Sequence, residues 1–255
     1  MEEKHFTKNI YRRFPVVLCL DISSSMKNEK RIHYLNKALE IFYKELQKNW
    51  KTAEITEIAV VTFGSDIIEC NEKFEPLSEV SKRTFSASDD DGCQLSKAIL
   101  RSIKLLEERV SLLDSNDIDF YLPCLMVITG GDPDGSDDPA SRQEAIQTVL
   151  KYCGDSVPEA QLITPYIIGV GNDVSERCPE LDQMTGGFTE KTIILNDSVN
   201  ELSESLEDMF SFGDWDFNFS SFGHKYPLRA LYRVIKGAKK ERGILIVKDR
   251  KRRII

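Results

Sequence analysis

The residues best suited to chemistry stand together in the run Asp21-Ile22-Ser23-Ser24-Ser25-Met26. A carboxylate followed by hydroxyls at alternate positions offers hard oxygen donors to one cation, and Mg²⁺ is the divalent ion that prefers such ligands. Helix N-capping is the other ordinary use of serines so placed. More acids gather later in the chain, at Asp89, Asp90 and Asp91 and again at Asp132, Asp134, Asp137 and Asp138. The second group has neither the acid spacing nor the closing Glu of an EF-hand. Ser136 or Asp137 is a candidate N-cap for a following helix.

Other chemistries have little support. There is no GxxxxGK[ST] to cradle nucleotide phosphates, no GxSxG elbow and no HExxH pair. Only His5, His33 and His224 are available for imidazole chemistry. The six cysteines, Cys19, Cys70, Cys93, Cys124, Cys153 and Cys178, include no CxxC pair, which removes zinc ribbons and thioredoxin-like sites. Cys19 and Cys124 lie in apolar runs, where Cys acts as a small hydrophobe. The enzymatic alternative is a metal-dependent hydrolase or phosphotransferase using Asp21. A phosphatase of the haloacid-dehalogenase type, however, places a second Asp two residues on, where this chain has Ser23.

The elements that must position these residues are visible in the hydropathy pattern. Short apolar runs at Pro15 to Leu20, Ile58 to Phe63, Leu122 to Thr129 and Thr164 to Val170 have the length and β-branched content of strands buried on both faces. Between them, Ile32, Leu35, Leu39, Phe42, Leu46 and Trp50 keep a helical period, as do Leu95, Ala98, Ile99, Ile103, Leu106, Val110 and Leu113. Ala145, Ile146, Val149 and Leu150 form one side of a weaker helix, and Val199, Leu202, Leu206, Met209 and Phe210 one side of a last helix. Asp66 to Phe74 follows its strand after two residues, too short for a parallel crossover, and is expected as an antiparallel hairpin strand. The expected fold class is α/β: a Rossmann-like open, mostly parallel sheet with one antiparallel edge strand and helices on both faces. In such sheets ligands bind beyond the carboxyl ends of the strands, where Asp21 falls.

The chain has 255 residues, is 41% hydrophobic and 30% charged, and carries a net charge of -8. That composition is ordinary for a soluble globular domain. No apolar run reaches the ~18 residues of a membrane span, and the N-terminus lacks the apolar segment of a signal peptide; a cytoplasmic location without membrane contact is expected. The charge is divided. Residues 1–223 hold 22 basic and 40 acidic side chains, and residues 224–255 hold 12 basic and two acidic ones. This tail follows an aromatic stretch, Trp215 to Phe219, and ends in Arg250, Lys251, Arg252 and Arg253. Docking on an acidic partner or on the chain's own acidic loops is the favoured use of the tail. Nucleic-acid binding through it is the second alternative, opposed by the acidity of the whole.

The order of elements, with DISSSM after the first strand and Val127-Ile128-Thr129-Gly130-Gly131-Asp132-Pro133 after the central one, resembles the von Willebrand factor A domain family. The resemblance spans roughly residues 12–212, with 213–255 as an aromatic and then basic extension. It looks most like bacterial cytoplasmic stand-alone members of the tellurium-resistance-associated type. It implies a metal-ion-dependent adhesion site with Mg²⁺ held by Asp21, Ser23 and Ser25. The family's ligand Thr is replaced by Cys93 and its ligand Asp by Gly130, so Asp132 is the candidate to restore the lost charge. It implies a non-enzymatic protein-interaction module using the loops at the strand ends, with Asp89, Asp90, Asp91 and Asp134 on the contact face. A kinase or phosphatase of a stress-response or conflict system is the partner the resemblance implies. A metal-independent interface on the same loops stays open beside the metal-bridged one.

Overall fold

The computed structural model describes residues 12–48, 50–69, 73–80, 83–130, 137–153, 163–170, 183–184 and 192–195. The first buried run forms β1 (Phe14–Asp21), and the others form β2 (Thr56–Phe63), β5 (Cys124–Thr129) and β6 (Thr164–Val170). Two short strands, β3 (Ile67–Glu69) and β4 (Glu75–Pro76), pair antiparallel with β2. The antiparallel edge expected over Asp66 to Phe74 is thus present but covers only three residues. β7 (Thr192–Leu195) pairs parallel with β6 and was not anticipated, and neither was β4. The sheet order is β3-β2-β1-β5-β6-β7, with β4 beside β2.

Parallel neighbours need long crossovers, and helices supply them. A 3₁₀ stretch, Ser24–Lys30, leads into α1 (Arg31–Lys48), which is followed by α2 (Trp50–Ile55) and α3 (Leu77–Val80). The long α4 (Leu95–Ser115) and then α5 (Pro139–Cys153) complete the set. Alternate residues of each strand point to opposite faces. Val16, Leu18, Leu20, Ile58, Val60, Met126 and Ile128 therefore meet Leu35, Leu39 and Phe42 of α1 in one core. Val17, Cys19, Ala59, Val61, Leu125 and Val127 meet Leu95, Ile99, Ile103 and Leu106 of α4, with Ala145 and Val149 of α5, in the other. Both faces are covered, which is why the strands read as unbroken apolar runs.

Two helix expectations are corrected. Trp50 is 60% exposed rather than part of the apolar face, because α1 ends at Lys48 and Trp50 opens a new helix with its own phase. Leu150 is 47% exposed, so the apolar side of α5 rests on Ala145 and Val149. The last helix proposed around Val199 to Phe210, and the whole of 213–255, lie outside the described residues.

The amino ends of β1 and β2 are clipped together by ions. Glu57 accepts hydrogen bonds from Arg109 Nε at 2.9 Å and Nη2 at 2.7 Å, and Arg13 Nε lies 3.5 Å from its other oxygen. All three side chains are largely buried. Removing one partner of such a group leaves uncompensated buried charge. Glu57→Ala is therefore expected to lower unfolding free energy by about 3–5 kcal/mol in urea titrations, a far larger loss than removal of the exposed Lys44–Glu40 pair of α1.

Candidate functional site

β1 connects to β2 on one side, whereas β5 lies on its other side and continues to β6. The loops leaving β1 and β5 therefore diverge to opposite faces, and the crevice at this switch point is the expected ligand position. Asp21, the last residue of β1, sits in it and is 1% exposed. Its Oδ1 accepts from Ser23 N at 2.8 Å. Its Oδ2 accepts from Thr129 Oγ1 at 3.0 Å and from Gly130 N at 2.9 Å. Burial of a carboxylate demands such partners, and here three donors from two loops supply them.

Ser23 begins the 3₁₀ stretch without making a side-chain cap bond. Its Oγ instead lies 2.9 Å from Ser25 Oγ. Two adjacent ligands of an octahedral Mg²⁺ at 2.0–2.1 Å stand about 2.9 Å apart, so the hydroxyl pair has the separation of one octahedral edge. The structure thus brings Asp21, Ser23 and Ser25 together. Gly130 lies beside them, where a Cβ would meet Met26 Sδ at 2.4 Å and Arg31 Cδ at 3.7 Å. Arg31, the first residue of α1, is 3% exposed, and its Nη1 donates to Gly130 O at 2.5 Å. Lys30, at φ 61°, turns the chain sharply just before it.

Cys93 packs in the apolar cluster of α4 with Val61, Phe63 and Leu95, so its packing reading holds. Cys19 lies deeper on the same face. Burial pushes its thiol up to about 12, against a hydrogen bond with Ser102 and aided by the Asp21 charge. Among the described residues, Cys19, Cys93 and Cys124 are free thiols.

The acids of the 89–91 run are exposed, and two of them have partners in the first loop. Ser24 Oγ donates to Asp91 at 2.8 Å, and Lys27 Nζ donates to Asp89. The Lys27 hydrogen bond, and then its charge, hold the Asp89 carboxyl below the usual aspartate range. Backbone bonds fasten the same segment: Ser88 N to Ile22 O at 2.7 Å and Gln94 N to Gly64 O at 3.0 Å. Gly92, at φ +143°, lies so close to Ser65 that a Cβ would approach its Cα to 3.1 Å. Asn36 of α1 pins the preceding turn by pairing with both Phe85 N and Phe85 O.

Asp137 does not cap the helix that follows it. It is buried and accepts from Ser96 N at 3.1 Å and Ser96 Oγ at 2.5 Å, capping α4 across 41 residues. The N-cap of α5 is Asp138, which accepts from Ser141 N and Oγ, with Pro139 at the first helical position. His33 is exposed on α1. Asp132 and Asp134, together with Arg250, Lys251, Arg252 and Arg253, lie outside the described residues. Among the described residues, no cluster of three His, Cys, Asp or Glu side chains is arranged to hold a metal.

Sequence reasoning overlooked Arg31, Met26 and Thr129. A signal for Arg31 exists: a cation at the first residue of a helix opposes the helix dipole, so an Arg there beside an acidic loop points to a local acceptor.

No protein-family model matches the chain, and no curated protein matches it in sequence. Solved structures do. A von Willebrand factor type A protein from Catenulispora acidiphila superposes with a TM-score of 0.56 at 16% identity, over 78% of this chain and 42% of that one. The chain has a von Willebrand factor A-like fold. The PilB minor pilin from Streptococcus sanguinis gives 0.56 at 14% identity, over 85% of this chain and 65% of that one. Proximal thread matrix protein 1 from the mussel byssus gives 0.55 at 15%, over 78% and 47%. The chain therefore spans from under half to about two thirds of these proteins' own lengths. At these identities the likeness concerns the fold alone.

Two outcomes follow for this A-like domain. Cys19 and Cys93 are expected to resist iodoacetamide in the native protein at pH 8 while the unfolded chain labels fully, as read by peptide mass spectrometry. The Asp89 carboxyl carbon is expected to titrate below the ordinary aspartate range by NMR. Because that pKa is depressed, the Lys27–Asp89 contact is fully present above the ordinary aspartate pKa. It is lost as pH falls through the folded value, and molar salt should move the midpoint upward.

Proposed function

We propose that the chain is a non-enzymatic protein-interaction module whose contact face is formed by the loops after β1 and before α4. One observation carries this reading: the strand-end carboxylate is buried and saturated, while the polar side chains around it are exposed and fastened to one another. Asp21 is enclosed by three donors. It presents no open lone pair for nucleophilic attack or general-base work, which need reach to the substrate. Ser24, Lys27, Asp89 and Asp91 form a fixed polar surface above it, with Asp90 exposed at its centre. Preorganised side chains lose little entropy when a partner docks, which favours recognition.

The fold likeness to von Willebrand A-type structures supports an interaction role in kind. The neighbours named for pilins and byssal matrix extend the comparison to proteins of assembled structures, and what they bind is theirs. A cytoplasmic location and a kinase or phosphatase partner from a stress-response system rest on the sequence resemblance. Among the described residues, no helix is long and apolar enough to cross a membrane.

The test is affinity capture with the full chain from extract of the source cells, followed by reconstitution with the purified captured protein. A direct complex is expected to weaken at least tenfold in Lys27→Glu or Asp90→Arg, with unchanged melting, and to persist in Trp50→Ala. Phosphoesterase or phosphotransfer turnover that disappears in Ser23→Ala would instead establish the enzymatic alternative. Ser23 is the better probe, because removing Asp21 leaves three donors without an acceptor in a buried site.

A further inference from the structure

We infer that Arg31 is the resident cation of the strand-end site and that, with Met26, it closes the site to divalent metal. Three features carry the inference. The first is charge. The buried carboxylates among the described residues are Asp21, Glu57 and Asp137. Glu57 faces Arg13 and Arg109, and Asp137 faces Arg142. The remaining buried cation is Arg31, and it holds the carbonyl of the residue whose N–H is held by Asp21. The Gly130 peptide groups therefore lie between a carboxylate and a guanidinium, and the two charges meet through them. A divalent ion would bring two further positive charges to a site with one carboxylate and one cation already in it.

The second feature is space. A carboxylate on residue 130 would need the volume that Met26 Sδ occupies, only 2.4 Å from an ideal Cβ at that position. Interiors are close-packed, so the room left by a missing side chain is taken by its neighbours, here a thioether and the Arg31 stem. The third is the donor set. Both oxygens of Asp21 are in use, Cys93 is packed in an apolar cluster, and the remaining hydroxyls, Ser23 and Ser25, bond to each other. Two neutral hydroxyls beside a buried guanidinium are a poor match for Mg²⁺, which is usually held by one or two carboxylates plus water or phosphate oxygens.

Arg31 is overdetermined as a positioned charge. It stands at the N-terminus of α1, where the helix dipole disfavours a cation, and it is preceded by a left-handed Lys30 that turns the chain into the helix. A residue so placed needs a strong local acceptor, and Gly130 O provides it. The inference concerns the same loops as the proposed contact face but is read on the chain alone, so its failure would leave partner capture untouched.

The experiment is calorimetric titration of Mg²⁺ and Mn²⁺ into the chelator-stripped full chain, with melting curves in parallel. No saturable heat and no rise in melting temperature are expected up to about 10 mM, tenfold above the weakest extracellular Ca²⁺ modules. Saturable binding that disappears in Ser23→Ala overturns the inference. A second arm removes the proposed obstruction in the combined variant M26A/R31M/G130D. If that variant melts cooperatively, it is expected to gain Mn²⁺ binding, seen by loss of the free-ion EPR signal and abolished by adding Ser23→Ala. A folded variant with no gain overturns the assignment of Met26 and Arg31 as what closes the site. If the variant does not fold, the wild-type titration still decides.

Discussion

A charged carboxylate at the end of a doubly covered central strand has to be neutralised or hydrogen-bonded, because isolated burial would raise its free energy by many kcal/mol. Asp21 meets that demand with one amide from its own loop and with a hydroxyl and an amide from the end of β5. The consequence is geometric. β1 and β5 already run in parallel register, with Leu20 beside Ile128, and the carboxylate extends their pairing one step past the sheet. The first loop cannot move relative to the β5 loop without breaking these bonds. The serine pair, the 3₁₀ stretch and the entry into α1 therefore all stand in fixed relation to Gly130.

The opposite end of the sheet solves a similar problem by other means. Glu57 faces two arginines from β1's lead-in and from α4, whereas Asp21 is met mainly by neutral donors. An ion network locks three elements together but presents little that a ligand would meet. A hydrogen-bonded carboxylate under a roof of exposed side chains supports a surface. The division suits a fold whose stability resides at one end and whose variable loops sit at the other.

Much of this architecture was legible in the chain because both sheet faces are covered. Runs such as VVLCL and IAVVTF leave no amphipathic ambiguity, and the helices between them repeat at their own period. What escaped was decided by length and by distance. β4 has two residues and β7 four, too few to establish a period. Trp50 continued the spacing of α1, but spacing carries no information about a break at the next turn. Asp137 sits one residue from the cap of α5, yet its carboxylate reaches Ser96, 41 residues earlier. Asp138 followed by Pro139 was the readable capping signal. The first metal-type loop was legible as a motif, but its setting was not, because Arg31 and Gly130 are 99 positions apart.

That separation explains why a partial motif misleads. The acidic and hydroxyl letters of the first loop describe donors, whereas a binding site is the balance of donors, charge and free volume around one point. In this chain the glycine at 130 removes a side chain, the methionine at 26 fills its place, and the arginine at 31 supplies positive charge within the same contact group. Each change is unremarkable alone. Taken together they leave the carboxylate satisfied and the charge met without an added ion, so the same first loop can hold its shape through the chain's own side chains. A loop held in that way keeps the rigidity that recognition requires while leaving the choice of partner to the exposed residues above it.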